Sequence, residues 1–247
     1  MKKILSATIL MLLLALLTSC LNYEENAIPD LPNAHISIST HTHEYGSPKL
    51  EVGDIINFGN YNWRVLEIYE NNTALIIAEN IVCMRAFHNK WEDVTWEESD
   101  LRSYLNSIFL HTFTQEEQSR ILLSVIQTLD NAWFRIRGGN DTTDYIFLLS
   151  IEEVVRYLGN SSQLMNLSLP QYGIRQTELS DQYNSVRIAF DENGTAVWWY
   201  LRSSGFDYDA IAFVNIDGSI NFSGGLVGGD GSGGVRPALL LNLSGDE

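Results

Sequence analysis

The chain has 247 residues and an acidic balance, 15 Lys and Arg against 31 Asp and Glu, for a formal charge of −16. Binding to nucleic acid and adsorption to anionic lipid both need clustered Lys or Arg, so this composition excludes both as partners. Beyond its N-terminal segments about 200 residues remain, enough for one domain with its own core.

Met1, Lys2 and Lys3 form a short positive region, and Ile4 to Leu17 an apolar one broken only by Ser6 and Thr8. That run of about 14 residues falls short of the roughly 20 that span a bilayer, so it reads as an export signal and not as a membrane helix. Leu17-Thr18-Ser19-Cys20 puts small residues directly before a cysteine, as in the substrates of lipoprotein-processing enzymes. Residues 1–19 are therefore expected to be removed and Cys20 to become a lipidated N-terminus. Two or three acyl chains, each buried methylene contributing roughly 0.8 kcal/mol, would hold the protein to the bacterial cell envelope on its extracytoplasmic side. The mature chain keeps 13 basic and 31 acidic residues, a formal charge of −18.

Residues 20–48 read as a tether, with Pro29, Pro32 and Pro48 among Asn, Ser and Thr and no sustained periodicity. His41 and His43, with His35 nearby, lack a Cys or an acidic helix beside them and read as polar linker residues, not a metal pair.

The domain is expected over 49–247. Ile55 to Phe58, Tyr61 to Tyr69 and Thr73 to Ala78 alternate and are rich in β-branched residues, which predicts a three-stranded meander turning at Gly59-Asn60 and Asn71-Asn72. Cys83 sits in apolar Ile81-Val82-Cys83-Met84 and reads as a small buried hydrophobe. With Cys20 lipidated, it has no cysteine to pair with. Capping-box patterns at Thr95…Glu98, Thr114…Glu117 and Ser150…Glu153 predict helices near 96–107, 115–127 and 151–158. Tyr145 to Leu149 is wholly apolar and predicts a central strand. Hairpins follow at 186–201, around Asn193-Gly194, and at 210–222, around Asp217-Gly218, and Val235 to Leu241 closes the chain as a strand. The stretch 223–234 has seven glycines in twelve residues and is expected to be an irregular loop.

Five blocks carry a resemblance: Phe58 to Leu66, Ser99 to Asn106, Ile146 to Ser150, Trp198 to Ser203 and Gly234 to Ala238. In this order they resemble the family called domain of unknown function 6273, over about residues 52–243. Tyr200 departs from that pattern, interrupting a run that is usually Trp-Trp-Leu-Arg-Ser. In its closing half the family is similar to C-type-lectin-like and sulfatase-modifying-factor domains, which also place a Trp-and-Arg strand before a glycine-rich loop and end on an Arg-bearing strand. The resemblance implies a single α+β, C-type-lectin-like domain of antiparallel hairpins with about three helices, and implies no reaction. Formylglycine-generating relatives of that wider fold use two cysteines for copper, and the mature chain has only Cys83.

No catalytic constellation stands out. The domain's histidines are His88 and His111, no Gly-x-Ser-x-Gly elbow precedes a helix, and the glycine-rich stretch lacks the Gly-Lys-Ser/Thr ending of a phosphate loop. Paired carboxylates for glycoside hydrolysis remain open among so many acids. The binding reading rests on Trp198, Tyr200, Tyr208 and neighbouring aromatics near Asp207, Asp209 and Asp230, where aromatic faces beside carboxylates suit a sugar. Closely spaced Asp side chains also suit Ca²⁺, but no twelve-residue ligand loop exists, so no cofactor is expected. Arg202 and Arg236 are candidate ligand contacts, or else structural arginines paired with Asp207 or Asp144. The expected activity is that of a binding or adhesion module for a glycan or protein ligand, using the 203–209 and 223–234 region. An enzyme of unknown reaction and a structural envelope subunit are the alternatives.

Overall fold

The computed structural model describes residues 49–160, 177–228 and 232–244. The expected export signal at 1–19, Cys20, the tether with His35, His41 and His43, and Asp230 lie outside the described residues.

The described chain is α+β and mostly strand. β1 (Ile55–Phe58), β2 (Tyr61–Tyr69) and β3 (Thr73–Ala78) form the meander that the alternation predicts. β3 is buried throughout, as its uninterrupted apolar run Ala74 to Ala78 requires of a strand covered on both faces. After β4 (Cys83–Arg85), helix α1 (Asp100–Tyr104) starts from Ser99 and not from Thr95, the Ser99 Oγ accepting from the Arg102 N–H. It runs on through a π turn, Leu105–Phe109, and a 3₁₀ turn, Leu110–Thr112. The other two capping boxes form completely and open α2 (Gln115–Arg120) and, later, α3 (Ile151–Tyr157).

Three expectations are corrected in the middle of the chain. The helix expected to reach residue 127 ends at Arg120, because α2 buries no side chain and nothing holds a longer helix down. The chain instead enters β5 (Ile121–Leu122) and β6 (Ser124–Ile126), and β6 pairs with β7 (Thr142–Asp144). The strand expected over 145–149 shortens to β8 (Ile146–Phe147), since the carbonyls of Leu148 and Leu149 accept from Arg202. After β9 (Glu178–Leu179), Asp181 and Asn184 close a helical turn, α4 (Asn184–Arg187), where a strand was expected to begin at Val186. The described residues thus hold four α-helical segments where about three were expected. The strands resume as β10 (Ala189–Phe190), β11 (Ala196–Val197), β12 (Trp199–Ser204), β13 (Ala210–Val214), β14 (Ile220–Leu226), β15 (Gly233–Val235) and β16 (Ala238–Asn242).

The glycine-rich stretch is also corrected, for β14 runs through Gly224 and Gly225 and β15 begins at Gly233. Gly224 has φ +74° at a register shift against β13, and a Cβ there would lie 2.3 Å from the Ile211 carbonyl oxygen. At Gly233 a Cβ would lie 2.4 Å from the Trp198 ring and 2.5 Å from that of Tyr200. Here the glycines let strands and rings close up, which outweighs their entropic cost.

Two main sheets result. The first has the order β1-β2-β3-β16-β5, with β8 also on β16, and the second β4-β15-β12-β13-β14-β9. Pairing is antiparallel except between β12 and β15. β3 and β4 run antiparallel to β16 and β15, so these four strands form one ribbon that passes from the first sheet to the second. At the crossing the Ala78 N–H donates to the Pro237 carbonyl and the Val82 N–H to that of Val235. The closing strand expected over 235–241 is therefore split at Arg236 and Pro237. A single cluster of buried apolar residues, with Trp63, Trp96 and Trp199 at 0 % exposure, is shared by both sheets and the helices.

Arg236 holds the bend. It is buried, its Nε donates to the Ala78 carbonyl at 2.8 Å, its Nη1 to the Arg187 carbonyl at 3.4 Å, and its guanidinium lies 5.1 Å from the Trp199 ring centre. Burial pulls its pKa down to about 10, outweighing the pull of Glu79 at 3.9 Å. The charge is thus held at a cost for the sake of the carbonyls it satisfies. Arg236→Met is expected to take the donor from the buried Ala78 carbonyl, to leave the Arg187 carbonyl with Trp199 Nε1 alone, and to lower stability by about 1–3 kcal/mol, read from urea unfolding. Glu79→Gln, which keeps the guanidinium, is expected to cost less.

α3 docks on β2 through Glu67, which accepts from the Tyr157 hydroxyl at 2.7 Å, the Tyr69 hydroxyl at 2.9 Å and Arg156 Nη2 at 2.9 Å. Burial pushes the Glu67 carboxyl up, but these bonds and the Arg156 charge together hold it below its ordinary value. A carboxyl depressed in this way adds stability that is complete above its unfolded pKa, near 4.3, and is lost as pH falls through the lower folded value. Glu67→Gln is accordingly expected to lower the urea midpoint at pH 7, with the gap to the parent protein closing below about pH 4.

Candidate functional site

β12 is buried along all six residues because β13 and β15 flank it and both of its faces are covered. Of the nominated residues on this strand, Tyr200 packs 5.6 Å from Phe87 and 4.9 Å from Trp198, and burial raises its hydroxyl pKa. Trp198, just ahead of the strand, is half-buried against Tyr200 and Phe213.

Arg202 is buried and its donors are taken. Nη1 donates to the Leu148 carbonyl at 2.7 Å and to Glu153, and Nη2 to the Gln127 carbonyl at 2.7 Å and to Glu153 Oε1 at 2.8 Å. Its carboxylate partner is thus the capping Glu of α3, and neither Asp207 nor Asp144. Asp144 is bound instead by Arg102 at 2.7 Å, Trp96 Nε1 at 3.0 Å and Thr142 at 2.7 Å. Arg236, at the bend, likewise meets backbone carbonyls. The geometry brings neither arginine to the surface.

A cleft of about 190 Å³ lies beside Arg202, lined by Gln127, Leu129, Ser150, Glu152, Glu153 and Arg156. Two adjacent carboxylates stand in it, but Glu153 holds Arg202 with both oxygens and accepts from the Ser150 N–H at 2.9 Å. Glu153 is thus engaged in holding Arg202 and capping α3. Cys83 is half-buried, and burial raises its thiol away from the reactive thiolate form. Among the described residues no group of three or more His, Cys, Asp and Glu side chains converges to hold a metal.

The remaining nominated residues meet a segment that the sequence did not single out. The turn 206–209 between β12 and β13 carries Phe206 and Tyr208, which are 45 % and 47 % exposed, with Asp207 exposed and Asp209 half-exposed. The loop 88–94 is pinned to this region at both ends. His88 N–H donates to the Val227 carbonyl at 3.4 Å and Val94 N–H to the Tyr208 carbonyl at 3.0 Å, while Val227 N–H donates to the Asp209 carbonyl at 2.9 Å. Between those pins Trp91 stands 62 % exposed, and Leu226 at the end of β14 is 50 % exposed. The base of the loop is braced by the His88 ring, buried with Nε2 at 3.0 Å from Glu92 Oε1 and Nδ1 at 3.1 Å from Asp100 Oδ2. The Asn89 N–H and Nδ2 donate to the same Asp100 oxygen. The outcome is an exposed surface of three aromatic rings with carboxylates around them, on short segments joined by backbone hydrogen bonds. Trp91 was legible as the one large ring in an otherwise polar run, Asn89 to Asp93; its position against residues 206–209 was not.

No curated protein and no solved structure matches the chain. The model of the family described as Domain of unknown function (DUF6273) matches residues 71–243, from the turn before β3 to the end of β16. Four of the five sequence blocks fall inside that match, and Phe58 to Leu66, on β1 and β2, precedes it. The matched residues make up well over half of the chain and supply both sides of the bent ribbon, β12 with its buried arginine, and the segments of the aromatic surface: the chain belongs to the domain of unknown function 6273 family.

Proposed function

We propose that the protein is a lipoprotein of the bacterial cell envelope, anchored extracytoplasmically through Cys20, whose domain is a binding or adhesion module for a glycan or protein ligand. The observation that carries the binding reading is the group of exposed rings, Trp91, Phe206 and Tyr208, on two segments pinned to each other and to the end of β14. Large aromatics left in water on braced loops cost the fold solvation without serving its core, and they are typical of recognition surfaces. The C-type-lectin-like reading is supported by the order of the closing half: a Trp-and-Arg strand, a hairpin, a glycine-rich connection and an Arg before the final strand. The lipid anchor is supported by the small residues before Cys20 and by an apolar run too short to span a bilayer. Ligand contact moves from Tyr200, Arg202 and Arg236, which are buried, to Trp91, Phe206 and Tyr208, with Asp207 and Asp209 kept. Metabolic labelling with a fatty-acid probe is expected to mark the parent protein and not Cys20→Ala. A screen of the same protein against glycans and envelope or host proteins is expected to give ligands whose binding falls at least about fivefold in a Trp91→Ala, Tyr208→Ala double variant of unchanged thermal stability. An unlabelled parent protein overturns the anchor, and hits indifferent to both rings overturn the site.

A further inference from the structure

The charges around the exposed rings separate the ligand classes that rings alone leave together. An aromatic face accepts the C–H face of a sugar or a cation equally well. Here the rings are bordered by Glu92, Asp93, Asp207 and Asp209; of the nearby cations, Lys90 lies 3.6 Å from Glu92, and exposed Arg137 sits on a segment whose carbonyl accepts from Ser204 Oγ at 2.9 Å. Among the described residues no Lys, Arg or His pairs with Asp93, Asp207 or Asp209. Asp207 accepts from the Tyr208 N–H at 2.9 Å. Three carboxylates without a counter-ion, next to three rings, raise the local concentration of any cation, and the whole chain's charge of −16 adds to the same field. The apolar content, with Leu226 half-exposed beside the rings, calls for a partner that carries apolar groups between its charges.

Resting on the binding reading above, we infer that this surface takes a basic, partly apolar peptide segment of another protein. Ammonium or guanidinium groups lie over Trp91 and Tyr208 and against Asp207 and Asp209, and apolar side chains of the segment cover Phe206 and Leu226. Attraction between a highly acidic domain and a basic segment speeds encounter and weakens with salt, whereas the rings supply a contact that salt does not screen.

The test uses the full-length protein in neutral detergent and three soluble probes: a peptide of alternating lysine and leucine, the same peptide with glutamate for lysine, and an uncharged N-acetylglucosamine oligomer. The lysine peptide is expected to bind, the glutamate peptide not to. Trp91→Ala and Tyr208→Ala are each expected to weaken binding roughly 2- to 5-fold. Asp207→Asn with Asp209→Asn is expected to weaken it about fivefold and to flatten its salt dependence. All four side chains are at least partly exposed, so unchanged melting temperatures separate lost contact from lost folding. Lysine-peptide binding that ignores both rings is attraction to an acidic protein at large and overturns the proposal. Uptake of the neutral oligomer alone, in a Trp91-dependent and salt-independent manner, overturns the cationic partner and leaves the binding module standing. Silence of all three probes overturns the peptide proposal, while the glycan and protein screen above still decides the binding reading.

Discussion

The passage of one ribbon from the first sheet to the second at Arg236 is the constraint from which the rest of the domain follows. A strand that leaves its sheet exposes carbonyls that the ladder no longer uses, and a buried carbonyl without a donor costs on the order of 1–3 kcal/mol. Arg236 answers this with a side chain that carries several donors and accepts nothing, reaching Ala78 on one strand and Arg187 from a third segment. The Arg187 carbonyl also accepts from Trp199 Nε1 at 3.0 Å, so β12 is fixed by the same node. Arg187 in turn donates to the Gly218 carbonyl at 2.8 Å, which ties in the β13–β14 turn. Arg202 repeats the device on the other side of β12, joining it to residues 127 and 148 and to the start of α3. Arg202 already holds both oxygens of Glu153, so Asp207 is left outside.

Local chemistry was legible at two of the three capping boxes, whereas the first helix is capped by Ser99 and not by Thr95. Thr114 and Glu117, or Ser150 and Glu153, satisfy each other and needed no tertiary partner to be read. The Asp191 to Gly194 turn is equally local, Asp191 Oδ1 accepting from the Asn193 and Thr195 N–H groups. Apart from the local Asp181–Asn184 turn, the misread segments depend on distant partners. Ile121 and Leu122 are strand because Leu241 and Leu240 lie beside them, and Leu148 leaves the strand because Arg202 takes its carbonyl. The glycines of 223–234 were read for their freedom, whereas Gly233 is fixed by two rings that press on it from 33 and 35 residues away.

The same distinction explains the candidate site. Periodicity places Trp198 and Tyr200 on a strand but says nothing of how many layers cover it, and a strand flanked on both edges and covered on both faces hides even a tyrosine. The exposed rings lie on turns, where burial is decided by what else reaches the same edge. For Trp91 those neighbours are Val227 and Tyr208, more than a hundred residues on. An exposed aromatic in a polar run was the available signal, and the pins at His88 and Val94 turn it from a stray hydrophobe into part of a surface.

The lipid tether proposed above would add a last step. A mature chain of formal charge −18 from Cys20 onward would be repelled by an anionic membrane, but only within about one Debye length, roughly 8 Å at physiological salt. Residues 20–48 would reach at most ~100 Å if fully extended, so a tether of that length would let the domain clear the repulsive layer many times over. Under that proposal the repulsion would work in favour of recognition, because it would disfavour burying the acidic, ring-bearing surface against lipid while leaving it open to partners of opposite charge. Attachment and acidity, which look opposed in the composition, are compatible once the length between them is counted.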